Sequence, residues 1–317
     1  MTDPHAPLVL VTPHKFKDLA PEHEVLGPAN ARIVECESQA EFEQLAPGAE
    51  VLLVNAIAPI DARLIASLDH CKAIVRYGTG VNNVDLEAAA AAGIAIANVL
   101  DASVEEVANH ALALALALLR RVLPIHRATA AGEWPIPAIR GTRRFSTLTA
   151  GIVGIGRIGA ATAARFEALG FTVVANDPLA RNAPWPLLPL DRLLEQADVV
   201  SLHLPLAQET RHLLGAAQLG RMKPGAILVN VSRGGLVDEE AVADRLAQGS
   251  LAGAGLDVFE DEPLSADHPL CSAPNALLTP HIAWYSEEAS REVQYKAAQE
   301  AARALAGQPL FSAVAQP

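Results

Sequence analysis

Three glycines, one acid and a scattered Arg, Glu and His are the residues of this 317-residue chain whose types and spacing could do chemistry. Residues 148–159 read Leu-Thr-Ala-Gly-Ile-Val-Gly-Ile-Gly-Arg-Ile-Gly. A strand candidate runs into the turn Gly154-x-Gly156-x-x-Gly159, a helix follows, and a second strand candidate, Thr172 to Asn176, leads to Asp177. Gly154 suits a tight turn, Gly156 lets a pyrophosphate approach the backbone, and Gly159 lets helix and strand pack closely. The helix opening at Arg157 and Ile158 would aim free N–H groups and the positive end of its dipole at the phosphates. Asp177 is placed to accept hydrogen bonds from a ribose 2′-hydroxyl and would repel a 2′-phosphate, which favours NAD over NADP. Arg181 is the nearby cation that weakens this preference. The glycines alone could form a structural turn in another kind of α/β protein. The strand before them, the helix after them and the acid in place point to a dinucleotide.

Arg233, Glu262 and His281 each follow a strand candidate, so all three would fall at the carboxyl edge of one sheet, where open α/β sheets bind ligands. An imidazole can donate a proton near neutral pH. A neighbouring carboxylate, Glu262, would orient it. A guanidinium can clamp a carboxylate and polarise a carbonyl in one plane. Beside a dinucleotide, that set suits hydride transfer to a carbonyl with proton donation to its oxygen. Among the other histidines, His5, His14, His23, His126 and His268 read as solvated, His203 as a hydrogen-bonded core residue and His110 as packing. Trp284 is either a substrate wall or packing. No Cys or His pair has ligand spacing, so no metal is expected.

The elements that must carry these residues read as α/β. Strand candidates are Leu8–Val11, Val51–Val54, Ala73–Arg76, Ile94–Asn98, Gly151–Gly154, Thr172–Asn176, Val199–Leu202, Ala226–Asn230, Gly253–Asp257 and Ala276–Leu278, with helical stretches between them. This alternation predicts two Rossmann-like, doubly wound parallel sheets. The glycine turn lies mid-chain, so a complete α/β unit precedes it. The cofactor domain, 102–287, would be inserted into a substrate domain made of 1–101 and 288–317, with the active site in the cleft between the two domains. The crossings would be a helix from about Val104 to Val122 and a last helix from Glu287 to Ala306. Ala111 to Leu119 alternates like a strand, but Ala and Leu are strong helix formers, and Ser103-Val-Glu-Glu106 reads as a capping box. That helix is apolar over most of its circumference, so it should be covered on nearly all sides; a homodimer interface would supply the cover, and an internal core helix is the alternative.

Half the residues are hydrophobic (51%) but only 4% are aromatic, so the cores must be aliphatic. A formal charge of −12 and the lack of a basic block argue against nucleic-acid and anionic-membrane partners. Three separated cysteines suggest no disulfide framework, and the first residues show no signal peptide pattern, so a cytoplasmic location is expected.

At this level of detail the chain resembles the NAD-dependent D-2-hydroxyacid dehydrogenases over nearly its full length. The matching blocks are Arg76-Tyr-Gly-Thr-Gly80, Ser103-Val-Glu-Glu-Val-Ala108, Gly151–Gly159, Asn230-Val-Ser-Arg-Gly-Gly-Leu-Val-Asp-Glu239, Gly255-Leu-Asp-Val-Phe-Glu-Asp-Glu-Pro263 and Thr279-Pro-His-Ile-Ala-Trp284. Trp-Tyr-Ser-Glu-Glu-Ala-Ser after His281 is most similar to the C-terminal-binding-protein branch. The resemblance implies that Arg233, Glu262 and His281 are catalytic and that Asp257 lies on the nicotinamide carboxamide side. It implies that Thr79, Leu204, Pro205, Thr210, Val231 and Ser232 line the cofactor, together with Arg233 and His281. Arg76 and the backbone at Tyr77 and Gly78 would hold the carboxylate of a small 2-oxo or 2-hydroxy acid, with Trp284 nearby. A branch containing corepressors leaves an alternative, an NAD(H)-binding scaffold with weak or vestigial activity.

Overall fold

Short aliphatic runs form parallel strands wherever both sheet faces are covered, and Val51-Leu-Leu-Val54, buried at every position, shows why such runs lack polar alternation. In the computed structural model, which describes residues 6–314, the chain divides into two units, Met1–Ser103 with Ser286–Pro317, and Val104–Tyr285.

The first unit contains β1 (Leu8–Val11), β2 (Arg32–Glu35), β3 (Val51–Val54), β4 (Ala73–Arg76) and β5 (Ala95–Asn98), in the order β2-β1-β3-β4-β5, all parallel. Sequence reading missed β2. Its four residues, Arg-Ile-Val-Glu, are charged and exposed at both ends, as an edge strand tolerates. The last helix, Glu287–Leu305, gives Val293, Ala297, Ala298, Ala301 and Ala304 to the core of this unit, against Val9, Val51 and Val75.

The second unit contains β6 (Thr149–Val153), β7 (Thr172–Asn176), β8 (Val199–Leu202), β9 (Ala226–Asn230), β10 (Leu251–Leu256) and β11 (Ala276–Leu278). Their order is β11-β10-β9-β8-β6-β7, again all parallel. The chain leaves β6 toward β7 on one side and returns to β8 on the other, so the sheet reverses its winding at the end of β6, the position where such folds place ligands.

The apolar stretch after Ser103 is helical, but it stops earlier than expected. The helix spans Val104–Leu119, Arg121 takes a left-handed conformation (φ 53), and a separate helix, Val122–Ala130, leaves at 59°. Cover is also one-sided. Val107, Ala111, Leu114 and Ala115 are buried against the sheet, while Leu112, Leu116 and Leu119 stay half-buried and Ala113 is exposed. Among the described residues no single helix is long and apolar enough to cross a membrane.

The buried face sits close because β10 opposes it with glycines. A Cβ on Gly255 would lie 2.8 Å from Leu114 Cβ, and one on Gly253 2.9 Å from Leu118 Cδ2. Gly255→Ala should therefore overpack this layer, at a cost of about 1–3 kcal/mol, read as a lower Tm. Gly255→Ala combined with Leu114→Gly, which removes the opposing Cβ, should lose less than the sum of the two single losses. Strictly additive losses would show that this contact is not the cause.

Candidate active site

Every loop that carries chemistry in the second unit follows the carboxyl end of a strand. After β6, Gly154 turns with φ 86, and its amide donates to Asn176 O (2.8 Å). A side chain at 154 would strike the carbonyl of His203, and one at 159 the carbonyl of Gly154. Those two glycines serve packing. At Gly156 no protein atom lies within 4 Å of where a Cβ would stand, so packing within the protein does not require glycine there, whereas a ligand's close approach would. Gly156 caps the helix Arg157–Ala168, whose first backbone bond runs from Ala160 N to Gly156 O, leaving the N–H groups of Arg157, Ile158 and Gly159 outside the helical ladder. Asp177, just past β7, accepts from Ile155 N (3.0 Å) and Leu179 N (2.9 Å). A carboxylate has about four lone-pair sites, so it retains capacity for ribose hydroxyls. These features fit a dinucleotide.

The loop after β8 runs through Leu204 and Pro205 to Thr210, whose hydroxyl accepts from Ala207 N (2.7 Å) and donates to Pro205 O (2.9 Å). Val231 is buried, and Ser232 Oγ donates to Leu202 O (2.7 Å), tying the loop after β9 to β8. The buried Asn230 shapes that loop, donating to Arg233 O (2.8 Å) and accepting from Ser232 N (3.1 Å). Arg233 is half-buried. Burial pulls its guanidinium below the usual value, and the charge of Glu262 opposes that. Gly234 lies so near the Phe259–Glu260 backbone that any Cβ would overlap it. That approach brings the loop of Arg233 against the loop of Glu262.

Glu262 Oε2 is 2.7 Å from His281 Nδ1, and Oε1 accepts from Phe259 N (3.0 Å). Both side chains are partly exposed, at 36% and 39%. Burial raises the pKa of Glu262, but hydrogen bonds from His281 and Phe259 N–H, with the charges of His281 and Arg233, hold it net below the carboxylate range. The loop of Glu262 is anchored from behind. Glu239, buried, accepts from Glu260 N (2.7 Å) and lies 3.3 Å from His268 Nε2. His268 is thus mostly enclosed beside Glu239 and not solvated as expected.

His281 occupies a left-handed conformation (φ 55). Its amide donates to Asp257 O (2.7 Å), while the Asp257 carboxylate accepts from Thr279 Oγ1 (2.6 Å), Ile282 N (3.0 Å) and Ala283 N (2.8 Å). Asp257, expected beside the nicotinamide carboxamide, is fully buried and spends its carboxylate on folding this loop. His110, read as packing, lies 3.0 Å from Thr279 Oγ1 and 3.6 Å from Asp257 Oδ1. Its partner is 169 residues away, so no local pattern announced it. Trp284 is half-buried against the second unit's core and edge-on to Tyr285 (5.5 Å).

In the first unit, Arg76 ends β4 and its guanidinium lies over Gly78, where a Cβ would overlap it; Gly78 has φ 107. Tyr77 is buried, with its hydroxyl on Glu22 Oε1 (2.8 Å), so its backbone alone remains for a ligand. Thr79 Oγ1 donates to Val99 O (3.3 Å), and Thr79 O accepts from Asn98 Nδ2 (2.6 Å). Among the described residues no group of His, Cys, Asp and Glu could hold a metal ion.

The model of the D-isomer specific 2-hydroxyacid dehydrogenase NAD binding domain matches residues 112–283. The chain is 40% identical over 273 residues to the D-3-phosphoglycerate dehydrogenase of Mycobacterium leprae, an alignment covering 84% of this chain and 51% of that protein. It thus spans about half the length of the curated relatives it matches. A Thermus thermophilus protein superposes with a TM-score of 0.89 at 37% identity, covering 97% of this chain and 100% of the other. The D-lactate dehydrogenase of Aquifex aeolicus complexed with NAD and lactic acid does so at 0.86 and 27%, covering 94% and 96%.

One histidine beside the glycine turn makes a test of this geometry. His203 Nε2 bonds Ser201 Oγ (2.8 Å), and Nδ1 is sealed from solvent without a partner. Burial pushes its pKa down to about 3. Below about pH 6.5 the unfolded chain protonates this residue and the folded chain does not, so stability falls as pH drops from there toward 3, by up to about 1.4 kcal/mol per pH unit. His203→Gln should flatten the fall in Tm between pH 7 and pH 5. An unchanged slope would show that His203 titrates alike in both states.

Proposed function

The chain belongs to the D-isomer specific 2-hydroxyacid dehydrogenases, and from that membership we propose that it interconverts a D-2-hydroxy acid and its 2-oxo acid with NAD. The observation that carries this reading is the His281–Glu262 pair, 2.7 Å apart, on the same sheet edge as the glycine turn and Arg233.

The chemistry supplied by bound NAD(H) is hydride exchange with C2 of the substrate. Gly154, Gly156 and Gly159 shape the turn for the pyrophosphate, the N–H groups of Arg157 and Ile158 bind it, and Asp177 accepts from the ribose. Leu204, Pro205, Thr210, Val231, Ser232 and Thr79 line the cofactor. Arg76, with the Tyr77–Gly78 backbone, binds the substrate carboxylate. Arg233 polarises the C2 carbonyl. His281 protonates the new alkoxide from Nε2, because Glu262 engages Nδ1 and so fixes which nitrogen faces the substrate. Asp257 folds the loop of His281, and its placement on the nicotinamide carboxamide side stays part of this reading. Trp284 forms the wall beyond C3 and favours substrates with medium side chains, in keeping with the likeness to the C-terminal-binding-protein branch.

NADH oxidation should be assayed against glyoxylate, pyruvate, 4-methylthio-2-oxobutyrate and 3-phosphohydroxypyruvate, the last because relatives are named for phosphoglycerate. The methylthio acid should exceed pyruvate and glyoxylate in kcat/KM by about tenfold, the effect of one or two buried methylenes. Trp284→Ala should erase that margin. His281→Ala should lower kcat by about 10²–10⁴-fold with NADH affinity nearly intact. A chain that binds NADH and reduces none of the four acids would favour the scaffold alternative.

We also propose a homodimer. The half-buried Leu112, Leu116 and Leu119, with Val122 (51% exposed) and Trp134 (78% exposed) further along, leave apolar surface that a second copy would cover. Light scattering at micromolar concentration should give twice the chain mass, and a monomer mass would end the proposal.

A further inference from the structure

With Asp257 ionised, the chain of contacts behind His281 runs in one direction. Asp257 is fully buried, and its carboxylate, an acceptor only when ionised, sits 2.6 Å from Thr279 Oγ1. Thr279 has a single hydroxyl proton, and the short contact assigns that proton to Asp257. His110 Nε2, 3.0 Å from the same oxygen, must then be the donor. The neutral ring is therefore the Nε2–H tautomer. The line runs from His110 to Thr279 to Asp257, and Asp257 in turn collects the amides of Ile282 and Ala283 with its carboxylate and that of His281 with its carbonyl. These bonds bracket a non-glycine residue at φ 55, a conformation that costs energy and persists only where its surroundings over-determine it. His110 reaches the loop from the helix Val104–Leu119, which is pinned to β10 through Gly253 and Gly255. It therefore ties the loop to a rigid element, which a residue within the loop could not do.

We propose that His110 is a positioning residue for His281. Through Thr279 and Asp257 it fixes the backbone that aims the His281 ring at Glu262 and the reacting centre. This rests on the reading of His281 as the proton donor, and the test separates the two. His110→Phe, which keeps ring volume and removes the donor, should lower kcat for 2-oxo acid reduction by about ten- to a hundredfold, the scale of a small misplacement of a catalytic group. KM for the oxo acid and affinity for NADH should stay within about twofold, since the hydrogen bond lost lies behind the loop. His110→Gln, whose Nε2–H₂ can replace the imidazole donor, should recover most of the rate. Thr279→Val, which removes the relaying hydroxyl at nearly constant shape, should reproduce the loss, and it serves as the test if His110→Phe does not fold.

The decisive comparison places His110→Phe in a His281→Ala background. A residue that acts only through His281 should cost nothing further there. An equal loss in both backgrounds, or failure of His110→Gln to restore rate, would overturn the positioning role while leaving His281 as the proton donor. A His281→Ala enzyme with undiminished kcat would overturn the donor assignment itself, and the positioning role with it.

Discussion

The site depends first on a missing side chain. Gly234 allows the turn after β9 to lie directly against the Phe259–Glu260 backbone after β10. Any Cβ there would force the two loops apart, and with them the guanidinium of Arg233 and the carboxylate of Glu262. The electrostatics follow from that approach. Arg233 is half-buried, which disfavours its charge, and the nearby acid offsets the cost. Glu262 is held ionised by the cation on one side and the imidazole on the other. A water-filled gap between the loops would weaken both effects, because screening between charges grows with the dielectric constant.

Two carboxylates near His281 divide the work by depth. Asp257 is sealed and committed to backbone amides and one hydroxyl, so it acts as structure. Glu262 is partly exposed and faces the imidazole. Sequence reading assigned Glu262 to His281 and, by resemblance, Asp257 to the carboxamide side, but their difference in depth is a property of the packed loops.

The parts of the architecture that follow from local pattern were legible. The βαβ alternation, the glycine turn, Asp177 and the loop positions of Arg233, Glu262 and His281 all rest on short-range periodicity and on strands ending where ligands bind. The edge strand β2 was not legible, because charged ends hide four residues that need little burial. The break after Leu119 was hidden because Ala and Leu continue helically up to it, and the left-handed Arg121 is set by context. His14, read as solvated, has a side chain only 4% exposed, between Phe16 and Glu35. His110 and His268 were misread for a common reason. Each takes its role from a partner distant in sequence, Thr279 for one and Glu239 for the other.

The first unit is assembled from both ends of the chain. Gln294, on the last helix, bonds the buried carboxylate of Glu22, 272 residues earlier, and that helix fills the core beside β1, β3 and β4. During synthesis, the amino-terminal hundred residues therefore emerge without the helix that completes their core, while the second unit, continuous from Val104 to Tyr285, can close on itself as soon as it clears the ribosome. Contact topology alone thus lets the second unit complete its core before the first. The early strands then wait with one apolar face uncovered, and the excess of acidic over basic residues, net −12 over the full chain, opposes their association with one another.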